Sequence, residues 1–210
     1  MAQTTLIHGD ARDHGCAADL ILTDPPYQLD GGELAQILAR FDAKHLVLLT
    51  TMRQLLDFMR GGEWRLAFDF VIDGVMPKKS MSNMQPHYLH QTGVYLTRPG
   101  AKSVFDRKRR QRSDVFEGNG YWPTIFHAPR DNVQSHGHAK NAQAITDLLG
   151  SFDVGSVVDP FAGSGSTGIA AYDLDLQCTL IERDRKTFDA LKRTCRFMSA
   201  YGLRIIDDQD

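Results

Sequence analysis

A chain of 210 residues with ordinary aliphatic and aromatic content fits one domain with a core that needs no staples, and its net charge of −2 means that nucleic-acid binding would require a locally basic face. Three cysteines, Cys16, Cys178 and Cys195, are odd in number and lack Cys-x-x-Cys spacing, which argues against a disulfide framework or a cysteine zinc site and reads as reduced thiols. Met1-Ala2-Gln3-Thr4-Thr5 lacks the basic flank and apolar core of a signal peptide, and no apolar run reaches membrane-spanning length, so a cytoplasmic protein is expected.

The first β-branched apolar segment, at about 5–9, precedes Gly9-Asp10, and the second, at 20–24, runs straight into Thr23-Asp24-Pro25-Pro26-Tyr27. Two consecutive prolines supply no N–H and push the residue before each out of the α region, so the strand must stop at Asp24. What remains is a rigid corner offering a carboxylate, carbonyl oxygens and an aromatic ring. That set fits a flat polar group with N–H donors, such as the amino edge of a nucleobase; Asp-Pro alone would equally mark an ordinary turn.

Beyond the corner, Leu34, Ile37, Leu38 and Phe41 fall on one helix face. Strand-like segments follow at 45–50, 64–73 and 88–97, the last preceded by an irregular stretch from Met76 to Pro86. The interval 98–135 is the least regular. It holds Lys102, the basic run Arg107, Lys108, Arg109, Arg110 and Arg112, and then Tyr121 and Trp122. Basic residues followed by aromatics suit phosphate contact with nearby base stacking, although a basic run alone is as well read as a solvated loop. Ile145, Leu148, Leu149 and Phe152 predict the next helix, and strands are expected at 156–159 and 178–182. A final amphipathic stripe, Phe188, Leu191, Cys195 and Met198, has Asp184 as its N-cap. Strands alternating with helices predict an α/β sandwich with a mainly parallel sheet.

The segment Val157-Val158-Asp159-Pro160-Phe161-Ala162-Gly163-Ser164-Gly165-Ser166-Thr167-Gly168 reads as a strand, a glycine turn and a helix start, through which a nucleotide-like ligand can approach the backbone. The next strand ends in Glu182, placed to accept hydrogen bonds from ribose hydroxyls. Gly163-x-Gly165-x-x-Gly168 matches the dinucleotide fingerprint, so a nicotinamide-dependent oxidoreductase is one reading. Against it, a dinucleotide fold begins with this unit, whereas here about one strand and one or two helices fit after Gly168. The sheet must therefore be circularly permuted, with its remaining strands supplied from upstream. No Lys follows the glycines to form a P-loop, and Asp159 with Phe161 suits a cationic or zwitterionic ligand without phosphates.

An Asp-Pro-Pro-Tyr corner ahead of an Asp-Pro-Phe-x-Gly-Ser-Gly loop, among seven candidate strands, resembles the permuted, β-class, S-adenosylmethionine-dependent DNA amino-methyltransferases. The resemblance covers most of the chain. It implies a Rossmann-like, seven-stranded, mainly parallel mixed sheet with helices on both faces, in one domain over 1–210. A short target-recognition insertion falls at about 98–135. Gly9-Asp10 stands where the family has a Gly-Asp pair. His136-Gly137-His138-Ala139-Lys140-Asn141 keeps the first His and the Lys of the family's His-Pro-Thr-Gln-Lys-Pro stretch and departs at the other four positions.

The implied roles follow. Asp24 and the carbonyl of Pro25 would accept the two hydrogens of an adenine 6-amino group, with Pro26 holding the corner and Tyr27 stacking on a base flipped out of DNA. Asp159, Phe161, Gly163, Ser164, Gly165 and Thr167 would hold the methionine portion of S-adenosylmethionine, Glu182 the ribose and Asp10 the adenine amino group. His136 and Lys140 would take the methionine carboxylate or position the loop. Lys102, Arg107, Lys108, Arg109, Arg110, Arg112 and Trp122 would contact DNA. So short a recognition interval implies short or relaxed sequence specificity, and a second subunit of a homodimer could add contacts.

No metal is expected, since His136-x-His138 and His87-x-x-His90 lack a Cys or carboxylate at ligand spacing. Cytosine 4-amino methylation, RNA as substrate, and a nucleic-acid binder without catalysis are the other readings. Asp24, where cytosine enzymes of the family more often carry Ser, favours adenine. Neither restriction-modification pairing nor an orphan methylase is distinguished.

Overall fold

The computed structural model describes residues 3–73, 90–106, 124–127, 142–198 and 202–207. The chain forms β1 (Thr4–His8), β2 (Leu20–Thr23), α1 (Gly31–Leu38), β3 (His45–Thr50), α2 (Met52–Met59), β4 (Arg65–Asp73) and β5 (His90–Thr97). It continues through β6 (Ile125–His127), α3 (Ala142–Leu149), β7 (Ser156–Asp159), α4 (Ser166–Asp173), β8 (Gln177–Glu182), α5 (Arg185–Met198) and β9 (Leu203–Asp207).

The strands make one sheet in the order β6-β4-β5-β3-β2-β7-β8-β1-β9. Only β5 runs against its neighbours β3 and β4; the other pairings are parallel. Central strands of a parallel sheet are covered on both faces and must be apolar throughout, and β2 and β3 are buried at every position. All seven expected strands are present. Two more, β6 and β9, extend the edges, so the sheet has nine strands among the described residues, and β8 and β9 both follow Gly168. Both additions are short, and β9 has no fully buried residue, so neither carries a strong apolar signal.

Helices cover the two faces separately. Leu34, Ile37 and Leu38 of α1 pack with Leu55 and Phe58 of α2 on one side. On the other, Ile145, Leu148 and Leu149 of α3 pack with Ala170 and Ala171 of α4 and Phe188, Leu191 and Cys195 of α5. Phe41 and Phe152, expected on helices, are buried just past the ends of α1 and α3. Asp30 caps α1, accepting from Gly32 and Glu33, and Asp184 caps α5 as expected, accepting from the Thr187 N–H at 2.8 Å.

The helix α2 has no counterpart in the sequence reading. Its buried face carries Leu55 and Phe58 together with the polar Gln54, while Met52 and Leu56 are 58% and 61% exposed, so only part of its apolar pattern follows the buried side.

The chain leaves β2 through α1 toward β3, and leaves β7 through α4, on the opposite face, toward β8. Since β2 and β7 are neighbours, their C-terminal ends diverge and open a crevice at a topological switch point. The corner after β2 and the glycine loop after β7 form its two sides.

Candidate active site

The two sides are tied at their base. Thr23 Oγ1 donates to Asp159 Oδ1 at 2.8 Å, Thr167 Oγ1 donates to Oδ2 at 2.6 Å, and the Phe161 N–H donates to Oδ1 at 3.1 Å. Asp159 and both threonines are buried. A buried carboxylate needs such donors, and this one spends its oxygens inside the protein. Asp159 and Thr167 therefore build the loop and do not present their polar atoms to the crevice. Phe161 is half-buried against the α1/α2 core, and Ser164 is exposed at the loop.

Gly165 has φ +86°, and a Cβ there would stand 2.3 Å from Leu191 Cδ1 of α5. A Cβ at Gly168 would stand 2.7 Å from Leu180 of β8. These glycines allow a left-handed turn and close helix-to-sheet packing. The N-cap of α4 is Gly165, which has no side chain to cap the helix start.

At the end of β8, Glu182 Oε2 accepts from the Gly163 N–H at 2.9 Å and Oε1 from the Asp184 N–H at 2.7 Å. Each carboxylate oxygen offers more than one acceptor direction, so the orientation is fixed while capacity remains for hydroxyl donors. Asp10 follows β1, the strand beside β8. Its Oδ1 accepts from the Arg12 N–H at 2.9 Å and its Oδ2 from Arg12 Nη1 at 2.8 Å, with Arg183 at 3.5 Å. Burial raises its carboxyl pKa, but the Arg12 hydrogen bonds and the two guanidinium charges outweigh this and leave it below the ordinary value.

On the other side, Pro25 is buried and Asp24 and Tyr27 are half-buried. The Pro26 carbonyl accepts from the Leu29 N–H at 2.9 Å and from Gln54 Nε2 at 3.0 Å. Gln54 Nε2 also donates to the Leu29 carbonyl at 2.8 Å, and its Oε1 accepts from Thr50 Oγ1 at 2.9 Å. A buried glutamine with both ends occupied thus fixes the corner's backbone. From β5, Gln91 Nε2 donates to Asp24 Oδ1 at 2.7 Å and to Tyr27 Oη at 2.9 Å. Burial, then the charge of Asp24 and the hydrogen bond to it, push the Tyr27 hydroxyl above its ordinary value of 10.0, while Gln91 opposes the shift.

Sequence reasoning assigned no role to Thr23, Thr50, Gln54 or Gln91. Their signal is a polar residue at the site end of an apolar strand or on the buried face of a helix, which becomes visible only when the end is known to border the crevice.

Of the expected DNA-contacting residues, only Lys102 is among those described. It follows β5, whose C-terminal end pairs with His45 at the start of β3, and Phe105 bridges to Phe152. The antiparallel direction of β5 therefore puts Lys102 at the end of the sheet opposite Asp24, and it is not brought to the crevice. Arg107, Lys108, Arg109, Arg110, Arg112, Trp122, His136 and Lys140 lie outside the described residues. The depression bounded by Asp42, Lys44, His45 and Asp153 is also at that opposite end. Among the described residues, no three His, Cys, Asp or Glu side chains could hold a metal ion, and no helix is long and apolar enough to cross a membrane.

A mixed α/β sheet with covering helices and a glycine loop at the switch point defines a Rossmann-like fold of the methyltransferase type. Among solved structures, the chain matches the complex of M1.HpyAVI with S-adenosylmethionine at TM-score 0.69 and 19% identity, over 91% of this chain and 100% of that one. TTHA0409 from Thermus thermophilus, a candidate DNA modification methylase complexed with S-adenosyl-L-methionine, matches at TM-score 0.66 and 17% identity over 97% and 99% of the two chains. The PvuII DNA methyltransferase, cytosine-N4-specific, matches at TM-score 0.71 and 15% identity over 97% and 95%. At these identities the likeness is one of fold. No protein-family model matches the chain, and no curated protein matches it in sequence.

Proposed function

We propose that this protein transfers a methyl group from S-adenosylmethionine to the 6-amino group of adenine in DNA. The observation that carries the reading is the meeting of the Asp24 corner and the glycine loop across one crevice, joined by the Thr23–Asp159 hydrogen bond.

The donor set fits the cofactor. Glu182, braced by Gly163 and Asp184, retains capacity for two ribose hydroxyls. Asp10, held anionic by Arg12 and Arg183, suits an adenine amino donor. The loop residues Gly163, Ser164 and Gly165 at the start of α4 suit a methionine carboxylate, and the Phe161 ring suits the cationic sulfonium. Asp159 and Thr167 hold that loop from behind. His136 and Lys140, which match the family's stretch, would take the methionine carboxylate or position the loop. When bound, the cofactor supplies an electrophilic methyl on a sulfonium.

The chain's own task is to turn a poor nucleophile into a good one. The amino lone pair of adenine is delocalised into its ring until both hydrogens are held out of plane. Asp24 and the Pro25 carbonyl suit that work, because the Pro26 carbonyl is committed to Leu29 and Gln54. The Asp24 charge also stands where positive charge develops on nitrogen as the new N–C bond forms. The surplus proton then leaves the nitrogen toward Asp24 or water. Tyr27 offers a ring to an extruded base, offsetting part of the few kcal/mol that extrusion costs. The basic run at 107–112 suits DNA phosphates, whereas Lys102 stands at the end of the sheet opposite Asp24.

Cytosine 4-amino transfer is the second reading, favoured by the likeness to a cytosine-N4 enzyme. Asp24 supports adenine. The test is incubation with DNA or RNA and methyl-labelled cofactor, followed by nucleoside digestion and chromatography. N6-methyladenine from DNA is expected. N4-methylcytosine, or product from RNA alone, would replace the reading, and no methylated nucleoside from any polymer would end it.

A further inference from the structure

The corner is gripped from both faces of the sheet, and only one of the two grips reaches its functional side chains. Gln54 comes from α2, on the α1/α2 side, and holds backbone carbonyls. Gln91 shares its face of β5 with Gly93 and Tyr95, since alternate strand residues point the same way, and Tyr95 belongs to the α3/α4/α5 core. From that side its Nε2 reaches Asp24 and Tyr27.

A primary amide has two N–H donors, and Gln91 uses one on the Asp24 carboxylate and one on the Tyr27 hydroxyl. That hydroxyl is itself hydrogen-bonded to Asp24, which closes a triangle of three side chains. Gln91 is only 7% exposed, near the start of a strand whose later residues are apolar core. An uncharged polar group in such a place gains nothing from packing and must be held by its partners. Asparagine would fall one methylene short of both oxygens. Glutamate would present no donor while ionised and would put a second negative charge against Asp24. Glutamine alone among these supplies two donors at this reach without charge.

We propose that Gln91 is the positioning residue of the transfer step. It fixes the rotation of the Asp24 carboxylate and the tilt of the Tyr27 ring together, so that the acceptor for the amino group and the stacking surface for the base are set before a base arrives. Asp24 keeps acceptor capacity for the substrate, because an ionised carboxylate has about four acceptor directions. Gln91 acts through these two groups and forms no bond to the reacting atoms. The inference rests on the reading of Asp24 as the acceptor for the target amino group.

Three measurements test it. In Gln91→Ala, kcat should fall roughly 10- to 100-fold, the range set by a hydrogen bond to a charged group, while the KM and Kd for S-adenosylmethionine stay within about twofold. In Gln91→Glu, transfer should be depressed at about pH 8 and rise as pH falls toward about 6, because one of two adjacent carboxyls protonates readily and regains a donor; the wild type should show no such rise. The side-chain amide resonances of Gln91, assigned by their loss in Gln91→Ala, should move when Asp24 is replaced by Ala in otherwise intact protein. Wild-type kcat in Gln91→Ala, parallel pH profiles for Gln91→Glu and wild type, or amide resonances indifferent to Asp24→Ala would each overturn the proposal. Should Gln91→Ala fail to fold, the amide resonances, assigned then from Gln91→Glu, still decide. A wild-type protein that methylates no polymer would instead remove the underlying reading, and the resonance measurement separates that failure from this one.

Discussion

Glu182 and Asp24 stand on opposite sides of one crevice, and their surroundings give them different work. Glu182 is oriented by two backbone N–H groups from the loop and helix start beside it, so Glu182→Ala should weaken cofactor binding by roughly 10-fold or more, as loss of charge-assisted hydrogen bonds does, and calorimetry reads this directly. Tyr27 provides a test that needs no activity. Its folded value lies above the unfolded 10.0, so its contribution to stability is intact below about pH 10 and is lost as pH rises beyond. Asp24→Ala removes the neighbouring charge and a hydrogen bond, and absorbance titration should show the Tyr27 phenol ionising at lower pH than in wild type. Unchanged titration would mean that the two side chains are not coupled. Asp24 and Tyr27 could be singled out from sequence because proline fixes the backbone around them. Gln54 and Gln91 could not, because their value lies in what they touch across 28 and 67 residues of chain.

The glycine loop shows what an element can and cannot reveal in advance. A short apolar strand, alternating small residues and a following helix made β7, the turn and α4 legible, since the backbone geometry is nearly dictated by the glycines. The partner of Gly165 was not, for Leu191 lies on a helix whose docking is decided by tertiary packing. Gly165→Ala adds a methyl against that buried leucine and strains a left-handed residue, so unfolding in denaturant should show a loss of roughly 1–3 kcal/mol, with weaker cofactor binding. The helix α5 was readable for a similar local reason. Its Asp184 cap is hydrogen-bonded to both the N–H and the hydroxyl of Thr187, which lower its pKa from 3.8. Its contribution is therefore present above about pH 4 and lost as pH falls through the depressed value. Asp184→Ala should lower Tm at neutral pH and show a smaller difference from wild type in acid. In contrast, α2 was hidden because its buried face carries Gln54 and its exposed face carries Met52 and Leu56. The corner explains Gln54, whose amide holds the Pro26 and Leu29 carbonyls.

At the scale of the whole molecule, strand order converts distant sequence into one place. The corner near residue 24 and the loop near residue 163 meet because β2 and β7 are neighbours whose connections leave on opposite faces. That most strands of the sheet precede the loop was legible from the loop's late position, whereas the edge strands β6 and β9 were too short or too exposed to announce themselves. The same packing buries Cys178 and Cys195 and raises both thiols, Cys195 to about 11, and burial raises the half-buried Cys16 as well. Alkylation should therefore be slow in the native state and should quicken in step with global unfolding for the two buried thiols. That the corner and the loop form one methyl-transfer site is tested most directly by a single-turnover experiment. Protein loaded with methyl-labelled S-adenosylmethionine is mixed with DNA, in wild type and in Asp24→Ala, with cofactor occupancy measured in both. Equal loading is expected, with label passing to an exocyclic amino group of DNA only in wild type. Equal transfer by Asp24→Ala, or no loading of wild type at all, would contradict a shared site.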